Sequence, residues 1–151
     1  MQRRHFLALL PAAILARPAL AETFQITRND DEWRAMLTGP QYAVLREEDT
    51  ESPNSSPLNT ENRVGTFACA GCDLPLFASE TKFDSGTGWP SFWQPLPGAV
   101  ATKRDIGIFG IRTEVHCRRC GGHLGHVFED GPQPTGLRYC MNGVAMTFRA
   151  A

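Results

Sequence analysis

The sequence predicts a mainly β domain with short N-terminal helices and a metal-stabilised core. From Gly65 onward, short apolar segments alternate with Gly, Pro and Asp, which is typical of antiparallel sheets or a barrel-like sandwich. Two Cys-x-x-Cys pairs supply the four thiolates of a closed tetrahedral zinc site: Cys69 with Cys72, and Cys117 with Cys120. The chain is small and holds 11 prolines, so a metal would stabilise a modest core.

Two helices are predicted before the β region. The first begins at the polar run 29–31 and extends to about Leu37. Gly39 and Pro40 end it, and Pro40 can start a second helix that extends through Arg46. The polar, proline-containing segment 47–62 predicts a surface loop. The predicted strands comprise 66–68, 76–77, 100–102, 107–111, 113–115, 126–128 and 144–148.

The first 21 residues predict an export signal rather than part of the fold. Arg3 and Arg4 precede a short apolar run over 6–16, and Ala-Leu-Ala at 19–21 matches a small-residue cleavage site. The run is too short to span a bilayer, so we expect no stable membrane anchor. The paired arginines favour a twin-arginine signal and a periplasmic protein, with a general secretory signal as the alternative.

Residues 22–151 predict a single domain. The whole chain has a formal net charge of −1, and no long basic run or basic helix is present. These features argue against nucleic acid or an anionic membrane as the main partner. An exported chain with five cysteines could instead form disulfides, although two distant Cys-x-x-Cys pairs favour zinc.

Cys140 is the one cysteine outside the two pairs, and it is a candidate nucleophile. If 137–142 is a strand, Arg138, Cys140 and Asn142 share one face. Arg138 would then favour the thiolate form of Cys140. The alternative is a small buried cysteine with only a packing role.

His123 and His126 are candidates for a proton donor to a developing oxyanion. They are three residues apart and would face opposite ways in a regular strand, so they share a site only if Gly125 allows a bulge. The alternatives are one core and one surface histidine, or a metal set of His123, His126 and Asp130.

An aromatic segment follows Gly88 and contains Trp89, Phe92 and Trp93. It predicts either an apolar cap on the core or an aromatic wall for a sulfur-bearing group. Combined with Cys140 and the histidines, the wall suggests a thiolate that attacks an electrophilic atom while an acid protonates a leaving oxygen.

Four motifs in order resemble the methionine-R-sulfoxide reductase family, MsrB, over about 26–148. They are Cys-Ala-Gly-Cys at 69–72, Ser-Gly-Thr-Gly-Trp-Pro-Ser-Phe at 85–92, His-Leu-Gly-His-Val-Phe at 123–128 and Arg-Tyr-Cys-Met-Asn at 138–142. The resemblance implies two antiparallel sheets, structural Zn²⁺ on the paired cysteines, and reduction of the R epimer of methionine sulfoxide, free or in proteins. This chemistry reverses one form of methionine oxidation.

The resemblance also implies roles for individual residues. Cys140 is expected to attack the sulfoxide sulfur, and Trp89 and Phe92 to contact the substrate. The polar residues expected to orient and protonate the sulfoxide oxygen are His123, His126, Asp130, Arg138 and Asn142. Many family members carry a resolving cysteine where this chain has Thr87, so an external thiol reductant, such as a thioredoxin-like protein, is expected to reduce a Cys140 sulfenic acid.

Two other functions fit parts of the sequence. A thiol–disulfide oxidoreductase would use one Cys-x-x-Cys as its redox centre, but that motif usually lies in a βαβ context. A zinc-ribbon binding module would leave Cys140, His123 and His126 unexplained. We therefore expect a monomeric enzyme acting on oxidised proteins, with no nucleic-acid partner.

Overall fold

Two antiparallel sheets organise the chain, as the sequence predicts. The computed structural model describes residues 22–107 and 110–151, so the predicted export signal, 1–21, lies outside the described residues. The strands are β1 (Gly65–Cys69), β2 (Pro75–Ala78), β3 (Lys82–Phe83), β4 (Ser91–Phe92), β5 (Val100–Gly107), β6 (Gly110–Cys117), β7 (His123–Phe128), β8 (Arg138–Met141) and β9 (Met146–Ala150).

The two sheets differ in size. The smaller has the order β2-β1-β9, and the larger has the order β3-β4-β8-β7-β6-β5. All the pairings are antiparallel. In the larger sheet β8 lies between β4 and β7, which places Cys140 near the middle of the sheet rather than at an edge.

Two short helices precede the sheets, α1 (Asp30–Met36) and α2 (Gly39–Glu47). Each begins with a capping box, Asn29 with Glu32 and Thr38 with Gln41. These reciprocal bonds satisfy backbone N–H groups that a helix start leaves without partners. The predicted helices are therefore confirmed, with ends shifted by about one residue.

The hydrophobic core lies between the sheets and beneath the helices. Trp33 of α1 is 1% exposed, and Phe67, Phe77 and Phe92 are fully buried. The rings of Phe77 and Phe92 stack with centroids 4.3 Å apart, which joins the smaller sheet to the larger one. This packing supports the strands that carry the candidate site.

Two strand predictions need correction, and two short strands were not predicted. The predicted strand 107–111 is divided between two strands, because Gly107 ends β5 and pairs with Gly110, which begins β6 with a positive φ of 95°. Residues 108 and 109 lie outside the described residues. The apolar composition resembles one strand, whereas β5 and β6 pair antiparallel. The last strand begins at Met146, after a 3₁₀ turn over Gly143–Ala145, and the two-residue strands β3 and β4 are too short to leave a sequence pattern.

Across residues 22–107 and 110–151, no helix is long and apolar enough to cross a membrane.

Candidate active site and cysteine cluster

Cys140 lies on β8 and opens into a small cavity of about 130 Å³. The lining residues are Thr50, Trp89, Arg112, Gly125, His126, Phe128, Cys140 and Asn142. Pockets that enclose drug-sized ligands measure roughly 300–1,000 Å³, so this one suits a single side chain. The thiol is partly exposed, as a nucleophile must be.

His126 and Cys140 are directly opposed on neighbouring strands, because β7 and β8 pair in that register. Directly opposed residues in an antiparallel pair have Cβ atoms about 4.5–5.5 Å apart, so the imidazole lies beside the sulfur. Gly125 makes this approach possible. A Cβ atom there would lie 2.1 Å from the Cys140 carbonyl oxygen and 3.0 Å from Met141 Cα.

The two histidines meet through a strand irregularity, as the sequence required. The β6–β7 register shifts between Val115 and His116, and the His123 and His126 rings lie 5.4 Å apart, edge to face. His123 itself is 3% exposed and lies behind His126 rather than on the cavity wall.

Asp105 on β5 orients His126. Its Oδ2 lies 2.8 Å from His126 Nε2 and 2.7 Å from Arg112 Nη2. The hydrogen bond from His126 and, as the next largest effect, the one from Arg112 lower the pKa of Asp105. Burial lowers the pKa of His126, and the bond to Asp105 opposes that effect without cancelling it. The imidazole is therefore neutral at neutral pH, with its Nε2–H donating to Asp105 and Nδ1 free to accept a hydrogen bond.

Buried Glu114 and exposed Lys103 form a polar chain that ends at His123. Its Nδ1 lies 3.1 Å from Glu114 Oε1, and Lys103 Nζ lies 2.9 Å from Glu114 Oε2. Burial raises the pKa of Glu114, but the contacts with His123 and Lys103 outweigh it, so the pKa is lowered. The charged Glu114 carboxylate thus helps to hold the His123 ring in place behind the cavity.

Arg138 and Asp130 form a bidentate ion pair at the cavity rim. Arg138 Nε and Nη2 donate to the two Asp130 oxygens at 2.8 and 2.9 Å, and the guanidinium lies over the Phe128 ring at 4.4 Å. The hydrogen bond to Asp130 raises the pKa of Arg138. Burial opposes this increase, and the charge of a Cys140 thiolate adds to the increase. The pair therefore holds a permanent cation near the sulfur while Asp130 remains exposed to solvent.

Asn142 and Trp89 are both held by Glu51. The Glu51 N–H donates to Asn142 Oδ1 at 3.0 Å, and the Glu51 carbonyl accepts from Trp89 Nε1 at 3.1 Å. Asn142 Nδ2 donates to the Leu124 carbonyl. The Glu51 carboxylate accepts from the backbone N–H of Gly143 and the next residue. The predicted surface loop is thus bonded to the end of β8 and fixes one wall of the cavity.

Phe92 is not brought to the cavity. Its ring is fully buried and stacks on Phe77, whereas Trp89, three residues earlier, forms the wall. Strand β4 starts after Pro90 and directs the Phe92 side chain into the core. Of the predicted site residues, the structure gathers Cys140, His126, Asn142 and Trp89 around the cavity, with Arg138 and Asp130 at its rim and His123 behind it.

Four contributors lie outside the sequence-predicted set: Thr50, Asp105, Arg112 and Phe128. Phe128 lies two residues after His126 and ends the His-Leu-Gly-His-Val-Phe motif, so its position offered a signal. Asp105 and Arg112 lie in a hairpin with ordinary charged composition, and only the strand pairing brings them to His126.

The four paired cysteines converge at one place. Their sulfur atoms all lie within 4.8 Å of one another, with Cys69 and Cys120 sulfurs 3.8 Å apart and those of Cys72 and Cys117 3.4 Å apart. A tetrahedron with Zn–S bonds of about 2.3 Å has S···S edges of about 3.8 Å. The donor set and spacing therefore fit a zinc ion, and both Cys-x-x-Cys motifs contribute to the same cluster.

A larger cleft of about 490 Å³ lies between α2 and the segment 49–58. It shares Thr50 and Glu51 with the surroundings of the small cavity but contains no thiol or imidazole. The chemistry is therefore concentrated in the smaller cavity.

Comparison with known proteins agrees with this geometry. The SelR domain model matches residues 37–150. A peptide methionine sulfoxide reductase MsrB from Agrobacterium fabrum is 53% identical over 125 residues, covering 82% of this chain and 93% of that protein. One from Pseudomonas putida (strain W619) is 54% identical over 126 residues, covering 83% and 95%. One from Methanosarcina barkeri is 50% identical over 125 residues, covering 82% and 88%. The chain therefore belongs to the MsrB family of methionine sulfoxide reductases.

Proposed function

We propose that the chain reduces the R epimer of methionine sulfoxide to methionine, free or in peptides and proteins, with Cys140 as the nucleophile. The observation that carries the proposal is the placement of the Cys140 thiol in a one-side-chain cavity between an indole and an imidazole. Sulfoxide sulfur is electrophilic and its oxygen is a strong hydrogen-bond acceptor, so the two sides of the cavity match the two ends of the S–O bond.

The first step moves one oxygen atom between two sulfurs. His126 Nδ1 accepts the Cys140 proton, and the thiolate attacks the substrate sulfur. The attack forms a transient bond between the two sulfurs, and His126 returns the proton to the sulfoxide oxygen. The resulting hydroxyl group transfers to the Cys140 sulfur as the transient S–S bond and the bond between oxygen and methionine sulfur break, which leaves methionine and a Cys140 sulfenic acid. Cys140 sulfur loses two electrons, methionine sulfur gains them, and no net proton is consumed.

Selectivity for one epimer follows from two different walls and the position of Cys140. A tetrahedral sulfoxide sulfur carries a methyl group, an oxygen and the main side chain in a fixed order. Trp89 and Phe128 offer apolar surface to the methyl group, and Arg112 and His126 offer polar groups to the oxygen. Only one epimer satisfies both while presenting its sulfur to Cys140.

The sulfenic acid needs two external thiols. A first thiol displaces water from Cys140 to give a mixed disulfide, and a second releases the Cys140 thiol and forms the reductant's own disulfide. The other four cysteines are gathered in their own cluster, so we propose a thioredoxin-like protein as the physiological reductant.

We propose that the cysteine cluster holds structural zinc. Cys69, Cys72, Cys117 and Cys120 would bind it, and the ion would link the β1–β2 region to the β6–β7 turn. A closed four-thiolate site has no open position for substrate, so the ion would supply stability rather than catalysis.

Turnover of separated epimers tests the function. Native protein and Cys140→Ser are incubated with R or S methionine sulfoxide and dithiothreitol, and methionine is measured by chromatography. The native chain is expected to consume only the R epimer, and Cys140→Ser neither. Equal consumption of both epimers, or activity in Cys140→Ser, would contradict the proposal. A sulfenic-acid reagent added after substrate should label Cys140 alone.

We also propose that residues 1–21 direct export to the periplasm by the twin-arginine route. Arg3 and Arg4 are the residues that distinguish this route from general secretion. Replacing both with lysine should leave the protein in the cytoplasmic fraction. Undiminished periplasmic recovery of that variant would point to the general secretory route instead.

A further inference from the structure

Three hydroxyl groups form a continuous chain that ends at the Cys140 sulfur. Ser91 Oγ lies 2.7 Å from Ser85 Oγ, and Ser85 Oγ lies 2.8 Å from Thr87 Oγ1. Thr87 Oγ1 lies 3.7 Å from Cys140 Sγ, within hydrogen-bonding range for sulfur. Ser91 is fully buried and pairs directly with Cys140 across β4 and β8. We call this set the hydroxyl chain.

The loop that carries Thr87 is held in place by the backbone conformation and hydrogen bonds of the glycines on either side of that residue. Gly86 and Gly88 have φ values of 69° and 93°, which turn the chain so that residue 87 points back at the sheet. Asp84 Oδ1 accepts from the Gly86 N–H at 2.9 Å, and the Gly88 carbonyl accepts from the Asn54 N–H at 2.7 Å. The Thr87 hydroxyl is therefore held in place before substrate arrives.

The hydrogen bonds of the hydroxyl chain can run in either of two directions. When Cys140 is a thiol, the S–H donates to Thr87, Thr87 to Ser85, Ser85 to Ser91, and Ser91 to the Trp89 carbonyl at 3.1 Å. When Cys140 is a thiolate, Thr87 donates to sulfur, Ser85 to Thr87 and Ser91 to Ser85. Each hydroxyl has one proton and rotates freely, so the reversal moves no heavy atom.

We propose that Thr87 is a catalytic residue that donates a hydrogen bond to the Cys140 thiolate, with Ser85 and Ser91 as positioning residues. A hydrogen bond to a charged acceptor is about twice as strong as one between neutral groups, so the contact favours the thiolate over the thiol. The hydroxyl chain thereby activates the nucleophile from the side opposite His126. The proposal rests on the proposed function only in naming Cys140 as the nucleophile.

Alkylation of Cys140 tests the proposal without any turnover. Thr87→Val keeps the side-chain shape and removes the hydroxyl, and Thr87→Ser restores it. Iodoacetamide labelling of the Cys140 peptide is followed by mass spectrometry as a function of pH. Thr87→Val is expected to react roughly tenfold more slowly at neutral pH, with its pH profile displaced upward. Thr87→Ser should recover most of the native rate, and Ser91→Ala should show an intermediate loss.

Matched controls separate a local effect from a general one. Thr147→Val makes the same change on the exposed face of the smaller sheet and should leave labelling unchanged. His126, Arg112 and Arg138 also face or adjoin the sulfur, and they are identical in every variant. Circular dichroism checks folding, and Ser85→Ala offers a second break in the hydroxyl chain should Thr87→Val fail to fold.

The outcomes distinguish this inference from the proposed function. Native labelling kinetics in both Thr87→Val and Ser85→Ala would overturn the role of the hydroxyl chain, even if the R epimer is still reduced. Slower labelling in those variants would support it, even if methionine sulfoxide proved not to be the substrate.

Discussion

Asp105 accepts a hydrogen bond of 2.8 Å from His126 Nε2 and so leaves Nδ1 as the acceptor nitrogen of the imidazole. The two residues come from β5 and β7, which are separated in the sheet by β6. The same carboxylate binds Arg112 of the cavity wall. A residue that does not line the cavity therefore orients two that do.

Replacing Asp105 with Asn should lower kcat for the R epimer by at least about tenfold, because the amide no longer fixes the imidazole tautomer. Burial lowers the pKa of His126, and the hydrogen bond to Asp105 partly offsets that decrease. Its loss should therefore lower that pKa further, so the neutral imidazole persists into more acidic solution and the acid limb of the kcat profile moves to lower pH. Asp73→Asn, at a carboxylate that pairs with Arg149 of the smaller sheet, is the matched control. An acid limb that moves upward would contradict this assignment.

Glu114 should make the fold sensitive to acid. Its pKa is lowered in the folded state, so its stabilising contribution is present above the unfolded value of about 4.3 and is lost as pH falls through the lower, folded value. Glu114→Gln should be about 2 kcal/mol less stable than the native chain at neutral pH. Urea unfolding at several pH values should show this difference shrinking in strong acid, and a constant difference would argue against a charged Glu114.

Phe92 and Trp89 should separate stability from binding. Phe92→Ala leaves a cavity beside Phe77 and should cost about 3–5 kcal/mol of unfolding free energy. The milder Phe92→Leu should remain folded with nearly native KM, because the side chain does not reach the cavity. A large KM increase in folded Phe92→Leu would instead indicate that Phe92 contacts the substrate.

Trp89→Phe should have the reverse pattern. It keeps an aromatic wall but removes the bond from the indole N–H to the Glu51 carbonyl, which costs about 1 kcal/mol. We expect a several-fold higher KM for the R epimer with a small change in unfolding free energy. Steady-state kinetics and thermal melting, measured on the same preparation, test this contrast.

Metal removal should unfold the domain. Structural zinc contributes about 10–16 kcal/mol of apparent binding free energy, which is comparable to the total stability of about 5–15 kcal/mol typical of a small domain. A chelator under reducing conditions should abolish the native circular dichroism spectrum, and Cys72→Ser should purify with little or no zinc. Cys140→Ser, with the cluster intact, should keep one zinc per chain. A reduced, metal-free chain that remains folded would contradict the zinc proposal.

Much of this protein could be predicted from residue order. The capping residues before both helices, the short β segments and the two Cys-x-x-Cys pairs depend on interactions over a few positions, so local patterns identify them. The isolated Cys140 and the His-x-x-His spacing likewise drew attention to Cys140 and His126, which the structure places opposite each other on neighbouring strands. The requirement for a bulge near Gly125 followed from strand alternation alone, and the structure meets it.

Only the tertiary structure determined which distant residues complete the site. Asp105 and Arg112 reach His126 through strand register, Glu51 reaches Trp89 and Asn142 through a long loop, and Phe92 turns inward because β4 packs on the smaller sheet. Such contacts depend on sheet order and on which face of each strand is buried. A carboxylate or an aromatic side chain has the same local sequence signal wherever the fold places it, so its role was decided by packing between elements far apart in the chain.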